Sequence, residues 1–249
     1  MKNAVGTLLA LCLVAPCTAQ ASLTTFFGED PLGSLTNTQA ARTDFMNHVD
    51  GVGTESFEEF ASGTYPSLDL TFPGSTGDIT ATLISTVEGD QMRILATTGA
   101  GRYPTAGTQY LDVNSNGLRL TFSSPISAFF FDGTDIGDFG GELTLELQTT
   151  AGTELLPVRY TIGSLGSTDG QAIGFGFISS NPVTEINFIN TWRADYFGYD
   201  QMTIADAGQV TPGVAPVPLP PALLLFGSGL LSVGALRRTL RAGKDGGKK

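Results

Sequence analysis

The chain is 249 residues long and carries 13 Lys and Arg against 24 Asp and Glu, a net charge of −11. The charge is divided: residues 22–216 hold six Arg, no Lys and 23 acids, a balance of −17, whereas the stretch after Leu236 has a balance of +5. A body this acidic repels phosphate backbones, which excludes nucleic acid as a partner. Glycine stands at 32 residues, which favours turns and strands over helices.

In chain order, Lys2 leads a short apolar run over residues 4–14, followed by Pro16 and Ala19-Gln20-Ala21. A charge, a short greasy core and an A-x-A site predict a secretory signal peptide over 1–21, cut after Ala21. Eleven residues fall short of the roughly 20 that a transmembrane helix needs. Both cysteines, Cys12 and Cys17, lie in this segment, so the mature chain has none. An exported body without disulfides must be held by core burial, or by a metal.

Residues 22–205 are expected to form one domain. Thr36 or Asn37 can cap a helix near 37–50 that carries Phe45 and Val49 on one face and stops at Gly51. From Phe57 onward the period becomes two. Leu68, Leu70 and Phe72 alternate, as do Ile79, Ala81 and Leu83; Leu118, Leu120 and Phe122; Leu143, Leu145 and Leu147; Ile173, Phe175 and Phe177; Ile186 and Phe188; Met202 and Ile204. Residues 126–131 are a continuous apolar run, expected as a central strand. Short runs bounded by Gly, Pro, Asn or Ser predict ten or eleven strands. The fold class is therefore all-β, a two-sheet antiparallel sandwich of jelly-roll type with a short N-terminal helix. A linker without a core pattern follows over 206–216.

The C-terminal 217–249 begins Val217-Pro218-Leu219-Pro220-Pro221-Ala222. Residues 222–236 then form an apolar stretch of about 22 Å as a helix, against a hydrocarbon core of roughly 30 Å. Arg237, Arg238 and further cations follow, and the positive-inside rule leaves them in the cytoplasm with the acidic body outside. A proline box, a short transmembrane helix and an immediate Arg cluster resemble the PEP-CTERM sorting signal in its Val-Pro-Leu-Pro-Ala form, with one extra proline. The resemblance implies recognition by an exosortase at the inner membrane, then delivery to the cell surface or beyond. It also implies association with exopolysaccharide.

The body offers few catalytic signatures. One histidine, His48, and no mature cysteine leave no zinc or copper ligand set and no ready catalytic triad. Oxygen-rich loops suit hard cations better. Residues 112–117 open like an EF-hand loop but lack its closing acid, and Asn116-Gly117 favours a type I′ hairpin turn instead. Asp132, Asp135 and Asp138 crowd one loop, where solvation or a shared cation would relieve their repulsion. Glu58, after Phe57, and Asp200, before the last strand, resemble a pair that holds structural calcium in jelly-roll carbohydrate-binding modules. That resemblance implies a Ca2+ tie between the ends of the body. Tyr65, Tyr103, Tyr110, Trp192, Tyr196 and Tyr199 fall in or beside expected loops, and Trp192 with Tyr196 is the leading pair for stacking on a sugar.

The expectation is a non-enzymatic surface or matrix protein with a polysaccharide-binding face. A hydrolase or lyase using acids such as Glu142 and Glu146, and a protein-adhesion module, are the alternatives.

Overall fold

The alternating runs of the body become strands. The computed structural model describes residues 22–115, 117–162, 170–192 and 195–211. The expected signal peptide 1–21 and the sorting tail 217–249, with its helix 222–236, lie outside the described residues. Among the described residues no helix is long and apolar enough to cross a membrane.

The order is β1 (Leu23–Asp30), α1 (Thr36–Met46), β2 (Thr54–Glu55), β3 (Gly63–Tyr65), β4 (Ser67–Phe72), β5 (Ile79–Ser85), β6 (Met92–Leu95) and β7 (Tyr110–Asn114). Then come β8 (Leu118–Thr134), β9 (Leu143–Thr149), β10 (Gly152–Pro157), β11 (Ala172–Asn190) and β12 (Tyr196–Ala205). The strand pairings are antiparallel, and the hydrogen bonding is continuous through twelve strands. It folds back on itself because β8 and β11 bend. The first part of β8 pairs with β5 and with the last part of β11, whereas its second part pairs with β12 and with the first part of β11. The bends fall at Ser123-Ser124-Pro125 and Ser180-Asn181-Pro182, where the β8–β11 register shifts between Ile178 and Val183. Proline cannot donate to a ladder, so it suits such a corner.

Two layers result. The first sheet runs β10, β9, the end of β11, the start of β8, β5, β4. The second runs β1, the start of β11, the end of β8, β12, β7, β6, β3. They share one core. Phe188 of the first sheet lies 5.3 Å from Phe131 and 5.2 Å from Tyr199 of the second, ring centre to ring centre. Residues 126–131 do form a central strand: Phe129 and Phe131 face that core, while Phe130 faces the opposite side, 5.2 Å from Phe45 of α1.

The helix ends sooner than its expected span to residue 50, and its cap comes from elsewhere. Neither Thr36 nor Asn37 caps it. Leu35 holds the cap position without a side-chain bond, and the Asp30 carboxylate at the end of β1 accepts the N–H groups of Asn37 (3.1 Å) and Thr38 (2.8 Å). Asn116 of the expected Asn116-Gly117 hairpin lies outside the described residues; on either side of it, β7 pairs with β6 and β12, and the start of β8 pairs with β5 and β11. Residues 206–211, expected to begin a linker, are tied to the body. Gln209 is buried and donates to Gly51 O and Pro73 O, and Val210 bridges to Val49.

Candidate functional site: an aromatic pair beside a polar cleft

The β9–β11 ladder ends with Asn190 opposite Leu143, and two further bonds extend it: Thr191 N to Glu142 O (3.2 Å) and Glu142 N to Thr191 Oγ1 (2.9 Å). The backbone of Trp192 is then fixed from two sides, its carbonyl accepting from Ser115 Oγ (2.8 Å) and from buried Asn190 Nδ2 (3.0 Å). Its ring is left 45% exposed and stacks on Phe139, itself 55% exposed, with centroids 6.0 Å apart and planes 26° from parallel. Phe139 sits at φ 57° inside a single 3-10 turn. A left-handed backbone at a bulky residue costs about 1–3 kcal/mol, and exposure returns little hydrophobic gain for it.

A cleft of about 270 Å3 adjoins this pair, lined by Gly140, Gly141, Glu142, Leu143 and Thr144 on one side and by Pro157, Val158, Arg159 and Tyr160 on the other. Val158 N donates to Leu143 O at 2.9 Å, which continues the β9–β10 register and sets Arg159 opposite Glu142. Both side chains are exposed. The Tyr160 hydroxyl donates to Gly141 O, and burial pushes its pKa up to about 12. It therefore braces the cleft. Glu142, Arg159 and Thr144 supply acceptors and donors next to a flat apolar surface.

The other candidate residues are placed elsewhere. Tyr196, paired with Trp192 from sequence, packs against two guanidinium groups, its ring centre 4.7 Å from that of Arg93 and 5.8 Å from that of Arg102, and its hydroxyl meets Asp90 at 3.2 Å. Its ring is thus engaged by cations within the protein. Tyr110 and Tyr199 are buried in their strands, and the Tyr65 and Tyr103 hydroxyls are bonded to Ala61 O and Gly170 O. Phe139 was not singled out by sequence; its signal is an aromatic inside Gly137-Asp138-Phe139-Gly140-Gly141. His48 is half-buried against Phe26, 5.3 Å between ring centres.

Three of the buried acids have found arginines. On the outer side of the second sheet Asp132 pairs with Arg42, and Asp112, first of the EF-hand-like run, pairs with both Arg93 and Arg102. Asp135 lies 3.3 Å from Arg102 and accepts Gly170 N. Asp138 begins the 3-10 turn beside Phe139.

Glu58 and Asp200 do meet a common segment. Asp200 Oδ2 accepts Thr105 N (2.8 Å) and Ala106 N (2.9 Å), and Glu58 Oε1 accepts Thr108 N and Gln109 N, both at 2.7 Å. Those N–H groups hold the Glu58 carboxyl below its usual range. Calcium takes six to eight oxygen ligands. Here the same oxygens already face N–H dipoles, whose positive ends oppose a cation. Among the described residues no three His, Cys, Asp or Glu side chains gather at metal-binding distance. As placed, the pair does not fit a Ca2+ site.

No protein-family model and no curated protein matches the chain. Among solved structures it is similar to the K2 cleaved adhesin domain of Lys-gingipain, at 10% identity and a TM-score of 0.38 over 61% of this chain and 97% of that one. It is also similar to the CBM22-1 xylan-binding domain from Paenibacillus barcinonensis, at 15% identity and 0.37 over 64% and 97%. A carbohydrate-binding module of a Cellvibrio mixtus lichenase follows, at 13% identity and 0.22 over 61% and 95%.

Proposed function

We propose that this protein is an exported, non-enzymatic polysaccharide-binding β-sandwich, delivered by its C-terminal tail through an exosortase to the cell surface or matrix. The observation that carries the binding reading is the exposed Trp192–Phe139 pair, fixed at its backbone and set beside a cleft with Glu142 facing Arg159. Flat rings take the apolar face of a sugar, while carboxylate and guanidinium take its hydroxyls.

A hydrolase of the usual kind needs two carboxyls across the scissile bond. Among the described residues the cleft lining offers one, Glu142. Binding is what this lining supports. The sorting reading rests on residues 217–249 alone.

The test is a glycan array probed with the full chain and with Trp192→Ala. Binding to at least one glycan that is lost in the variant supports the reading; binding unaffected by the substitution refutes it.

A further inference from the structure

The described arginines divide by location. Arg42, Arg93 and Arg102 each pair with a buried carboxylate of the second sheet. Arg119 and Arg159 have no carboxylate within ion-pair distance among the described residues, and both point outward from the first sheet. The register fixes this. Inward Leu118 and Leu120 flank Arg119, and inward Val158 precedes Arg159. Arg119 Nε is shielded from solvent and has no hydrogen-bond partner among the described residues.

The same outer face carries an ordered polar row. Glu142, Thr144, Glu146 and Gln148 alternate outward along β9, and Glu142 and Thr144 are also cleft residues. Beside them on β11, Asn187 is Cα partner both of Glu146 and of Arg119, so it sits between the two. Its amide donates to Glu146 Oε1 (3.2 Å) and Glu185 Oε1 (2.9 Å), while Gln148 Nε2 donates to Glu146 Oε1 (3.1 Å). These side chains are ordered before any ligand arrives, which lowers the entropy of binding one.

We infer that the cleft continues as a track along β9 and that its occupant is an interior stretch of an uncharged linear polysaccharide. This rests on the carbohydrate-binding reading of the cleft. From Glu142 to Gln148 the strand rises about 20 Å, well beyond one sugar ring. Hydroxyls both donate and accept, so they match a row in which carboxylate and amide oxygens alternate with amide and guanidinium N–H groups. The charge decides against an acidic polymer. Glu142, Glu146 and Glu185 outnumber Arg119 and Arg159, in a body whose balance is −17.

The experiment titrates the full chain with neutral linear oligosaccharides of several backbone types, from disaccharide to hexasaccharide, and with uronate-containing counterparts. For at least one neutral series affinity is expected to rise severalfold with length. Asn187→Ala and, independently, Gln148→Ala should flatten that rise while leaving disaccharide binding intact. Trp192→Ala should weaken every length. A disaccharide bound as tightly as a hexasaccharide, or a length dependence untouched by both track variants, overturns the track and leaves the cleft reading standing. Preference for the uronate series overturns the uncharged ligand. Failure of every oligosaccharide to bind, or indifference to Trp192→Ala, refutes the reading beneath both.

Discussion

Asp132 and Asp200 face each other across the β8–β12 ladder and share one hydroxyl, that of Thr105, at 2.6 and 3.2 Å from their Oδ2 atoms. A single hydroxyl donates one proton, so one of these contacts must be filled otherwise. Burial pushes the Asp200 pKa up to about 6, against the pull of N–H groups from Ala106, Gln201 and Thr105. Because this value lies above the unfolded one of about 3.9, the folded state holds a proton that the unfolded chain releases. The stabilisation is complete below about pH 4 and is lost as pH rises through about 6, an effect of about 3 kcal/mol at most. Asp200→Asn should therefore show a smaller fall in denaturant midpoint between pH 4 and 7 than the parent. Equal slopes would place the buried proton elsewhere.

Asp30 has the opposite sign. Burial alone would raise its pKa, but the N–H groups of Thr38 and Asn37 and the hydroxyls of Thr38 and Ser34 together hold it below its usual range. Its contribution is present at neutral pH and is lost as pH falls through its folded pKa. Asp30→Ala should cost about 1–2 kcal/mol at pH 7, the usual price of a lost helix cap. The loss should shrink in strong acid, as read by chemical denaturation at both conditions.

Glu58 staples the segment beneath the second sheet. It accepts Thr108 N, Gln109 N and Thr108 Oγ1, and Gln109 Nε2 reaches back to the carbonyls of Phe57, Glu58 and Phe60. Glu58→Ala should speed hydrogen exchange at the Thr108 and Gln109 amides while leaving β8 and β11 protected. Because N–H dipoles already face the Glu58 and Asp200 oxygens, added calcium or chelator should leave the melting temperature unchanged. A calcium-dependent rise abolished by Glu58→Ala would show a metal site that this geometry does not anticipate.

Alternation made the sandwich legible: Leu68, Leu70 and Phe72, or Leu143, Leu145 and Leu147, can bury one face of a strand only. It did not reveal that β8 and β11 each serve both layers. Ser123-Ser124-Pro125 and Ser180-Asn181-Pro182 read as breaks because such residues usually end strands, whereas here they bend one. Strand β1 was hidden for a different reason. Its apolar residues Phe26 and Phe27 are adjacent, one buried against α1 and one exposed, so no period shows. The site divided likewise. Trp192 was legible as a large ring next to polar residues. Tyr196 was not separable from it, because the guanidinium groups packed against its ring come from Arg93 and Arg102, about a hundred residues away in the chain.

Helix α1 lies so close to β1 that a single methyl group is excluded between them. A Cβ on Gly28 would stand 2.1 Å from Asn37 O, a backbone atom that cannot swing aside. Gly28→Ala must therefore displace the helix, at a cost of about 1–3 kcal/mol typical of overpacking. The near-ultraviolet signal and the denaturant midpoint should both change. An unaltered midpoint would mean that α1 is held loosely, and that its cap at Asp30 matters less than stated.

Phe139 separates stability from binding. Its left-handed backbone is one that Asn adopts at lower cost, and its ring has little burial to lose. Phe139→Asn is expected to leave the denaturant midpoint unchanged or to raise it slightly, by no more than about 1 kcal/mol. Glycan affinity should nonetheless fall, because Trp192 would lose the ring that holds its plane. A residue retained for packing would behave in the reverse way, with a loss of several kcal/mol and unchanged affinity. That result would return Phe139 to the core and leave Trp192 as a lone ring beside the cleft.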